Sequence, residues 1–481
     1  MMRTPRQQAP LKLRPGWPRL LALLALAALA AGCGRRPAQG PAEPISVPSS
    51  PAVQQLRAGA QGANLIIIAL DAARPDHFSS FGYEMETTPR ADEFFESAAL
   101  FTRAYAEAPN TKSSIASLFT SQFPDTHGSV GMAMPLSEEP ATLAEMMKSQ
   151  GYVTAAFSAN PYLAEWFGFD RGFDEFHEIF REVNLAPNEA GSVPAELVLE
   201  AAVPWLREHV DQKFFIYFHF FQPHAPYDPP SPFRYQFMRP PDFMMGLYDG
   251  NLAYMDDRLG QLLDELDELG IADNSVVVLM SDHGEAFGEH GRFGHTTTVF
   301  EEMIHVPLAL RLPSACGATP QRRLEVIGLT DLMPTLLDLY GFRAPEGMQG
   351  RSRLGLLAGE AESAPAMAVS RAIGMDPSGG VDQPEEVRYA LTSDRYTLIL
   401  GNRGDRVALF DRENDPGQHE NIADDNPEIV SELRRQFEDW AATQRGRPVV
   451  LPGGRAFVSG EPTIGMDEQL DRQLRSLGYV K

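Results

Sequence analysis

Short apolar runs alternate along the chain with longer stretches that carry apolar residues at helical spacing. Asn64-Leu65-Ile66-Ile67-Ile68-Ala69-Leu70 and Val276-Val277-Val278-Leu279-Met280 are continuous and largely β-branched. Such runs suit strands buried on both faces of a parallel sheet. Residues 152–157 and 214–221 read the same way. Stretches 138–150, 195–210 and 252–269 predict helices, and residues 333–339 continue the pattern. This alternation predicts an α/β fold with a mostly parallel sheet covered on both sides. Residues 343–385 are rich in Gly, Pro and Ala and predict a long connection. Residues 388–400 and 407–410 predict hairpin strands of a smaller C-terminal layer, followed by a helix over 426–445. No internal repeat is visible.

The strand ends carry the chemistry. The second run leads into Ser281-Asp282-His283-Gly284-Glu285, an acid and an imidazole side by side. In open α/β sheets ligands bind at that edge. Neighbouring strand residues point to opposite faces, so both groups reach one ion only where the strand gives way to a loop, which Gly284 supplies. An Asp oxygen with a His nitrogen suits Zn²⁺ or Mn²⁺ better than Ca²⁺. The first run ends at Asp71, a second carboxylate at a strand edge, with helix N-capping as its alternative role. In Asn110-Thr111-Lys112-Ser113-Ser114-Ile115, Thr111 and Ser114 open an amphipathic stretch with Ile115, Leu118 and Phe119 at helical spacing. The free N–H groups and positive dipole end of a helix start seat a phosphate or sulfate. A hydroxyl there is either an ordinary cap or a nucleophile whose alkoxide the dipole and a metal stabilise.

Together these segments resemble the sulfatase family of the alkaline phosphatase superfamily, over residues 63–481. The resemblance runs in order through Asn64 to Asp71, Ala108-Pro109 to Phe123-Pro124, Gly151-Tyr152-Val153-Thr154, Pro223-His224-Ala225-Pro226-Tyr227, Ser281 to Glu285, Gly294-His295 with Phe300-Glu301-Glu302, and Val306-Pro307. Leu409-Phe410-Asp411, Asp415-Pro416 and Glu420-Asn421 resemble a C-terminal family segment. Residues 473–480 resemble a tail common in bacterial members. The resemblance implies a three-layer αβα fold with a central mostly parallel sheet and a smaller C-terminal α+β subdomain. The departures are chemical. Sulfatases convert a Cys or Ser to formylglycine where Thr111 stands, and no formylglycine is expected from Thr. Ser113 and Ile115 replace the family's Pro and Arg. Ser158, Ala159, Asn160 and Pro161 stand where Gly-Lys-Trp-His is usual. The basic groups that grip a sulfate are therefore missing. A Thr nucleophile with Asp-His ligands is more similar to the phospho-acting branch, which includes lipoteichoic acid synthases, phosphoethanolamine transferases and nucleotide pyrophosphatases.

Composition adds limits. The 481 residues are 43% hydrophobic, enough for one large domain or a large and a small one. A net charge of −24 argues against nucleic acid and against a polybasic membrane contact, though not against an anionic substrate, because a metal reverses the local field. The two cysteines, Cys33 and Cys316, imply no disulfide framework. Arg3, Arg6, Lys12, Arg14 and Arg19 precede an apolar stretch too short for a comfortable membrane span, and Ala31-Gly32-Cys33 follows. This reads as a signal peptide over 1–33, ending in a segment that resembles a lipobox, with lipid on Cys33. Ala30 in place of Leu three residues before the Cys is a mild departure, and an uncleaved anchor or a plain secretory signal is the alternative. The expected location is a bacterial cell envelope, lipid-anchored at the outer membrane or the periplasmic face. Residues 34–62 read as a Pro/Ala-rich tether, 63–385 as the catalytic domain and 386–481 as the C-terminal subdomain.

Two further histidines join the candidate site. His224 lies in a proline-fixed loop after the 214–221 strand, and the resemblance implies a substrate contact. His295 is placed to bond a non-bridging oxygen or to protonate a leaving group. His77, His127, His290 and His305 read as structural or supporting, and Asp256 and Asp257 as a solvated helix face. The resulting expectation is one divalent ion held by Asp71, Asp282, His283 and the Thr111 oxygen: Zn²⁺ or Mn²⁺, with Ca²⁺ if the chain acts as a true sulfatase. Catalysis falls to Thr111, His224 and His295 on a small anionic ester, such as one carried on a lipid or glycan headgroup. Two other readings stay open: a sulfuric ester hydrolase with an atypical site, and a catalytically silent, surface-tethered binding protein.

Overall fold

The computed structural model describes residues 50–131, 134–182, 193–362, 366–374, 386–401 and 407–444. The signal peptide with Cys33, the tether up to residue 49 and the tail at 473–480 lie outside them. The described residues fall in one compact unit that begins at Ser50.

The predicted apolar runs become the middle of a nine-stranded sheet. Its strands are β1 (Asn64–Leu70), β2 (Ala99–Tyr105), β3 (Val153–Ser158), β4 (Glu175–Glu178), β5 (Phe214–Phe220) and β6 (Ser275–Ser281). After the two-residue hairpin strands β7 (Ala286–Phe287) and β8 (Phe293–Gly294), the sheet is completed by β9 (His305–Arg311), β10 (Gln321–Arg323) and β11 (Ile327–Gly328). The order is β10-β2-β9-β6-β1-β5-β3-β4, with β11 also on β2. All pairs are parallel except those of β9. Every residue of β1, β5 and β6 is buried. Helices 195–208 and 243–268 match the predicted periodicity, and the latter starts nine residues before the predicted 252.

Three expectations about domain limits change. First, the predicted tether ends too late. Pro51–Ala60 is a helix, N-capped by Ser50, whose side chain accepts from Val53 N at 3.1 Å. Its Val53, Leu56 and Ala60 belong to the main core. Pro at N1 is compatible with a helix start, so a Pro/Ala-rich composition did not exclude one. Second, the predicted connection 343–385 holds a short helix, Leu354–Leu357, and the strand β12 (Ala368–Gly374). Third, β12 pairs with β13 (Glu386–Thr392), followed by β14 (Tyr396–Gly401) and β15 (Val407–Asp411) in one antiparallel sheet. The smaller layer therefore begins ahead of residue 386. It closes with helix Pro427–Thr443.

That layer grips the segment entering the Thr111 helix. Ser370 Oγ donates to Ala106 O at 2.6 Å, and Arg371 N to Glu107 O at 2.8 Å. Arg371 and the Tyr389 hydroxyl both reach Asp125, at 3.0 and 2.9 Å. Asp256, expected on a solvated face, is buried instead. Its carboxylate accepts from Arg90 N and Ala91 N, both at 2.8 Å, and so caps helix Pro89–Glu96. Asp257, beside it, is exposed.

Candidate active site

The site is built at the carboxyl edge of β1, β5 and β6. Asp71 follows β1 and is held by its N–H to Phe220 O at 2.9 Å. The next helical turn, Pro75–His77, begins after Arg74 and has no side-chain cap bond, so Asp71 has no capping role there. Ala72 turns the chain with φ +56°, and its N–H donates to Asp282 Oδ1 at 3.1 Å. Thr111 opens helix Thr111–Thr120, but the cap is Asn110, whose side chain accepts from Ser113 N at 3.0 Å. The Thr111 hydroxyl therefore faces the site. Ser114 Oγ ties the helix to the end of β6 through Asp282 O at 2.6 Å.

Asp71, Thr111 and the Asp282-His283 pair, far apart in sequence, are brought together and buried. His283 Nδ1 lies 2.8 Å from Gly284 O. A carbonyl only accepts, so Nδ1 carries the proton and Nε2 presents a lone pair. That nitrogen lies 3.3 Å from Thr111 Oγ1, 3.6 Å from Asp71 Oδ1 and 3.5 Å from Asp282 Oδ2. Both carboxylate oxygens are buried without a hydrogen-bond partner. Converging lone pairs repel one another unless a cation sits among them. Their spacing matches the edge of a tetrahedral shell, roughly 3.4 Å for bonds of about 2.1 Å. The donor set therefore fits a divalent ion.

Two residues absent from the sequence-based set complete the site. His219, the last but one residue of β5, places Nε2 3.0 Å from Asp71 Oδ2 and Nδ1 2.8 Å from the Tyr217 hydroxyl. With Asp71 and Asp282 it forms the one cluster among the described residues whose ligand atoms all lie within 4.8 Å of one another. Asn160, just beyond β3, donates from Nδ2 to Asp71 Oδ2 at 2.6 Å and to Thr111 Oγ1 at 3.2 Å. His219 had a sequence signal: an imidazole in a run buried on both faces needs a partner. Asn160 had none beyond its place after β3.

His224 and His295 form a neighbouring wall. The His224 ring stacks on Phe221 at 4.4 Å and meets His295 edge-on at 4.9 Å, and His295 lies 4.4 Å from the His283 ring. His295 Nδ1 is 3.2 Å from Glu285 Oε1, and Tyr227 donates to the other Glu285 oxygen at 3.0 Å. The four histidines read as structural have partners outside this cluster. His77 pairs with Asp249, His127 with Ser117, His290 with Glu302 and Gln418, and His305 with Thr102 O.

Electrostatics separates these groups. Burial pushes the Asp71 carboxyl up, but its electrostatic interactions with the His224, His219 and His283 imidazoles, the His219 hydrogen bond among them, outweigh it and hold the group well below the usual carboxylate range. Burial and the neighbouring Asp71 charge raise Asp282. Without a cation, one negative charge is favoured across the pair, and a divalent ion removes that limit. Burial lowers His224 to about 4, so it is neutral at pH 7. Burial also lowers His295, but Glu285, Asp71 and Asp282 outweigh it and leave it above its ordinary value.

Comparison with known proteins gives the family. Residues 63–342 match the sulfatase family, and residues 288–443 match the region described as N-sulphoglucosamine sulphohydrolase, C-terminal. The chain is 25% identical over 406 residues to an ulvan-active sulfatase of Formosa agariphila, covering 75% of this chain and 76% of that one. It is 24% identical over 483 residues to an arylsulfatase of Clostridium perfringens, covering 83% and 98%. Its fold is similar to the phosphonate monoester hydrolase of Agrobacterium radiobacter, with TM-score 0.68 and 19% identity over 79% of this chain and 95% of that one. The chain belongs to the sulfatase family, within the alkaline phosphatase superfamily, and has a sulfatase-like hydrolase fold.

Proposed function

We propose that this protein is a metal-dependent hydrolase or transferase that cleaves phosphate-type esters through Thr111. The observation that carries this reading is the Thr111 hydroxyl itself. It sits where the family places formylglycine, at a helix N-terminus, 3.3 Å from His283 Nε2. Oxidising a secondary alcohol gives a ketone, not the formylglycine aldehyde. A covalent adduct on threonine therefore has to be cleared by displacement, which a phosphoryl group permits.

Asp71, Asp282 and His283, with Thr111 and with His219 beside them, would hold the ion. When bound, it supplies Lewis-acid stabilisation of negative charge and a more acidic hydroxyl. Thr111 Oγ gives up its proton to solvent and bonds to phosphorus while the bond to the leaving oxygen breaks. His295, whose protonated form Glu285 favours, gives that oxygen a proton. Water or an alcohol then attacks phosphorus and gives up its proton, which returns the hydroxyl to Thr111 as the Thr111–phosphorus bond breaks. His224, neutral and with Nδ1 donating to Ala225 O, presents Nε2 as an acceptor for a hydroxyl of the substrate or of the attacking nucleophile. The positive end of the Thr111 helix dipole would favour the same anion.

Sulfate ester hydrolysis is the second reading, favoured by the relatives, which are named sulfatases. A catalytically silent binding protein is disfavoured by the buried, partnerless carboxylate oxygens, which cost stability unless an ion uses them. The sequence before residue 50 supports lipid attachment at Cys33 on the cell envelope. The test is turnover of matched aryl phosphate mono- and diesters, phosphonates and sulfates by wild type, Thr111→Ala and Thr111→Ser. Phosphoester activity should fall by roughly 10³-fold or more in Thr111→Ala and survive in part in Thr111→Ser. A wild type that hydrolyses only sulfates, or an active Thr111→Ala enzyme, overturns the reading.

A further inference from the structure

We infer that Asn160 is a catalytic residue that donates a hydrogen bond to the Thr111 oxygen as that oxygen gains and loses its bond to the substrate. The inference rests on the reading of Thr111 as nucleophile. Asn160 is fully buried. Its orientation is fixed by its neighbours and does not depend on choosing between two similar amide atoms. Tyr162 N–H lies 2.8 Å from Oδ1, and a backbone N–H needs an acceptor. Oδ1 must therefore face Tyr162, and the NH₂ group must face the site. One of its protons meets Asp71 Oδ2 at 2.6 Å, and the other meets Thr111 Oγ1 at 3.2 Å.

Both protons have a mechanistic use. The bond to Asp71 holds the amide rigid against a carboxylate that His219 also contacts, on a residue whose backbone N–H is fixed by the Phe220 carbonyl. The bond to Thr111 occupies one lone pair of the hydroxyl oxygen, so the lone pair used for attack is directed away from Asn160. It also places a dipole at an atom that becomes more negative before attack and again when the adduct breaks. A preorganised donor at such an atom costs no reorganisation during the reaction. Asn160 stands in the segment where the family's Gly-Lys-Trp-His is usual. A neutral donor aimed at the nucleophile therefore takes the place of a basic group that grips the ester.

Asn160→Asp and Asn160→Ala separate this role from capping. Asp keeps an oxygen for Tyr162 N–H and loses both donors, whereas Ala loses everything. Activity on the best phosphoester, bound Mn²⁺ by elemental analysis and the mass of the Thr111 adduct after a quench should be measured together. Both variants should lose about 10²-fold in kcat with KM within a few-fold of wild type, bind Mn²⁺ at wild-type stoichiometry and form the adduct more slowly. An Asn160→Asp enzyme with wild-type kcat would reduce Asn160 to a cap. Loss of Mn²⁺ in Asn160→Asp would make it a support for Asp71 instead. Either result overturns this inference and leaves Thr111 untouched. Full activity in Thr111→Ala removes the nucleophile and this inference with it.

Discussion

His219 Nε2 lies 3.0 Å from Asp71 Oδ2, on a strand whose register places Ala69 beside His219, two residues before Asp71. A buried imidazole and two buried carboxylates thus meet at one point, with one oxygen of each carboxylate lacking a partner. Chelation should lower the melting temperature of the wild type, and Mn²⁺ or Zn²⁺ should restore it. Mass action gives about 2.7 kcal/mol at a hundred-fold excess over Kd. Asp282→Asn should lose most of its bound ion, and its melting should no longer respond to chelator. His219→Ala should bind the ion more weakly while keeping Asp71, Asp282 and His283. Equal metal content in wild type and Asp282→Asn would refute the assignment.

His295 and Glu285 make a second prediction. Glu285 is buried and fixed by Tyr227, so it orients the His295 ring and favours its protonated form. A group that protonates the leaving oxygen matters most when that oxygen is strongly basic. His295→Ala should therefore cost about 10² to 10⁴-fold on alkyl esters and far less on 4-nitrophenyl esters. Equal losses on both series would leave His295 a binding group only. Tyr227→Phe should show a weaker version of the same pattern, because Glu285 loses one of its two anchors.

The sequence made much of this site legible, for a physical reason. Asp71, Thr111, Asp282 and His283 lie at points where an apolar or helical period begins or ends, and such breaks can be read from one chain. His219 carried only a weak signal, an imidazole in a buried run, and Asn160 is legible only from three-dimensional neighbours. One sits inside a period, and the other follows a strand with no marker. Asp256 looked solvated because a helix of 26 residues carries acids on several faces, and only packing shows which face meets the Pro89 helix. Strand β12 was hidden because its partner lies across a stretch rich in Gly and Pro. Local composition outweighed a pairing made at a distance.

The Pro51–Ala60 helix gives a stability prediction. Leu56 and Ala60 are buried in the main core, whereas the Arg57–Asp338 ion pair is about one-third exposed and contributes little. Leu56→Ala should cost about 2–5 kcal/mol in denaturant unfolding, and Arg57→Ala less than about 1 kcal/mol. A chain that starts at residue 50 should match the full mature chain in its midpoint, whereas one that starts at 62 should be clearly weaker. Equal midpoints for all three chains would mean that the helix is a dispensable appendage.

His127 sets a dependence of stability on acid. It is fully buried, accepts from Ser129 N through Nδ1 at 3.0 Å and lies 3.1 Å from Ser117 Oγ through Nε2. An acceptor at Nδ1 leaves the proton on Nε2, so the folded protein holds the neutral ring. Burial, with the positive charges of Arg371 and Lys112 behind it, lowers its pKa from 6.5 to about 3. Once unfolded, the ring takes a proton near 6.5. Between 6.5 and about 3 the unfolded chain therefore binds the extra proton, and stability falls as the pH falls. The slope from this one group approaches about 1.4 kcal/mol per pH unit inside that window. Above 6.5 the group contributes no slope. His127→Gln should be less stable than wild type at pH 7.5, because the Ser117 and Ser129 bonds fit an imidazole. The gap should narrow steadily as the pH is lowered from 6.5 to 4.5, since glutamine takes no proton in either state. Urea midpoints of the two proteins across this range measure the difference directly and cancel the titration that both share. A gap that stays constant with pH would show that His127 already carries its proton in the folded protein.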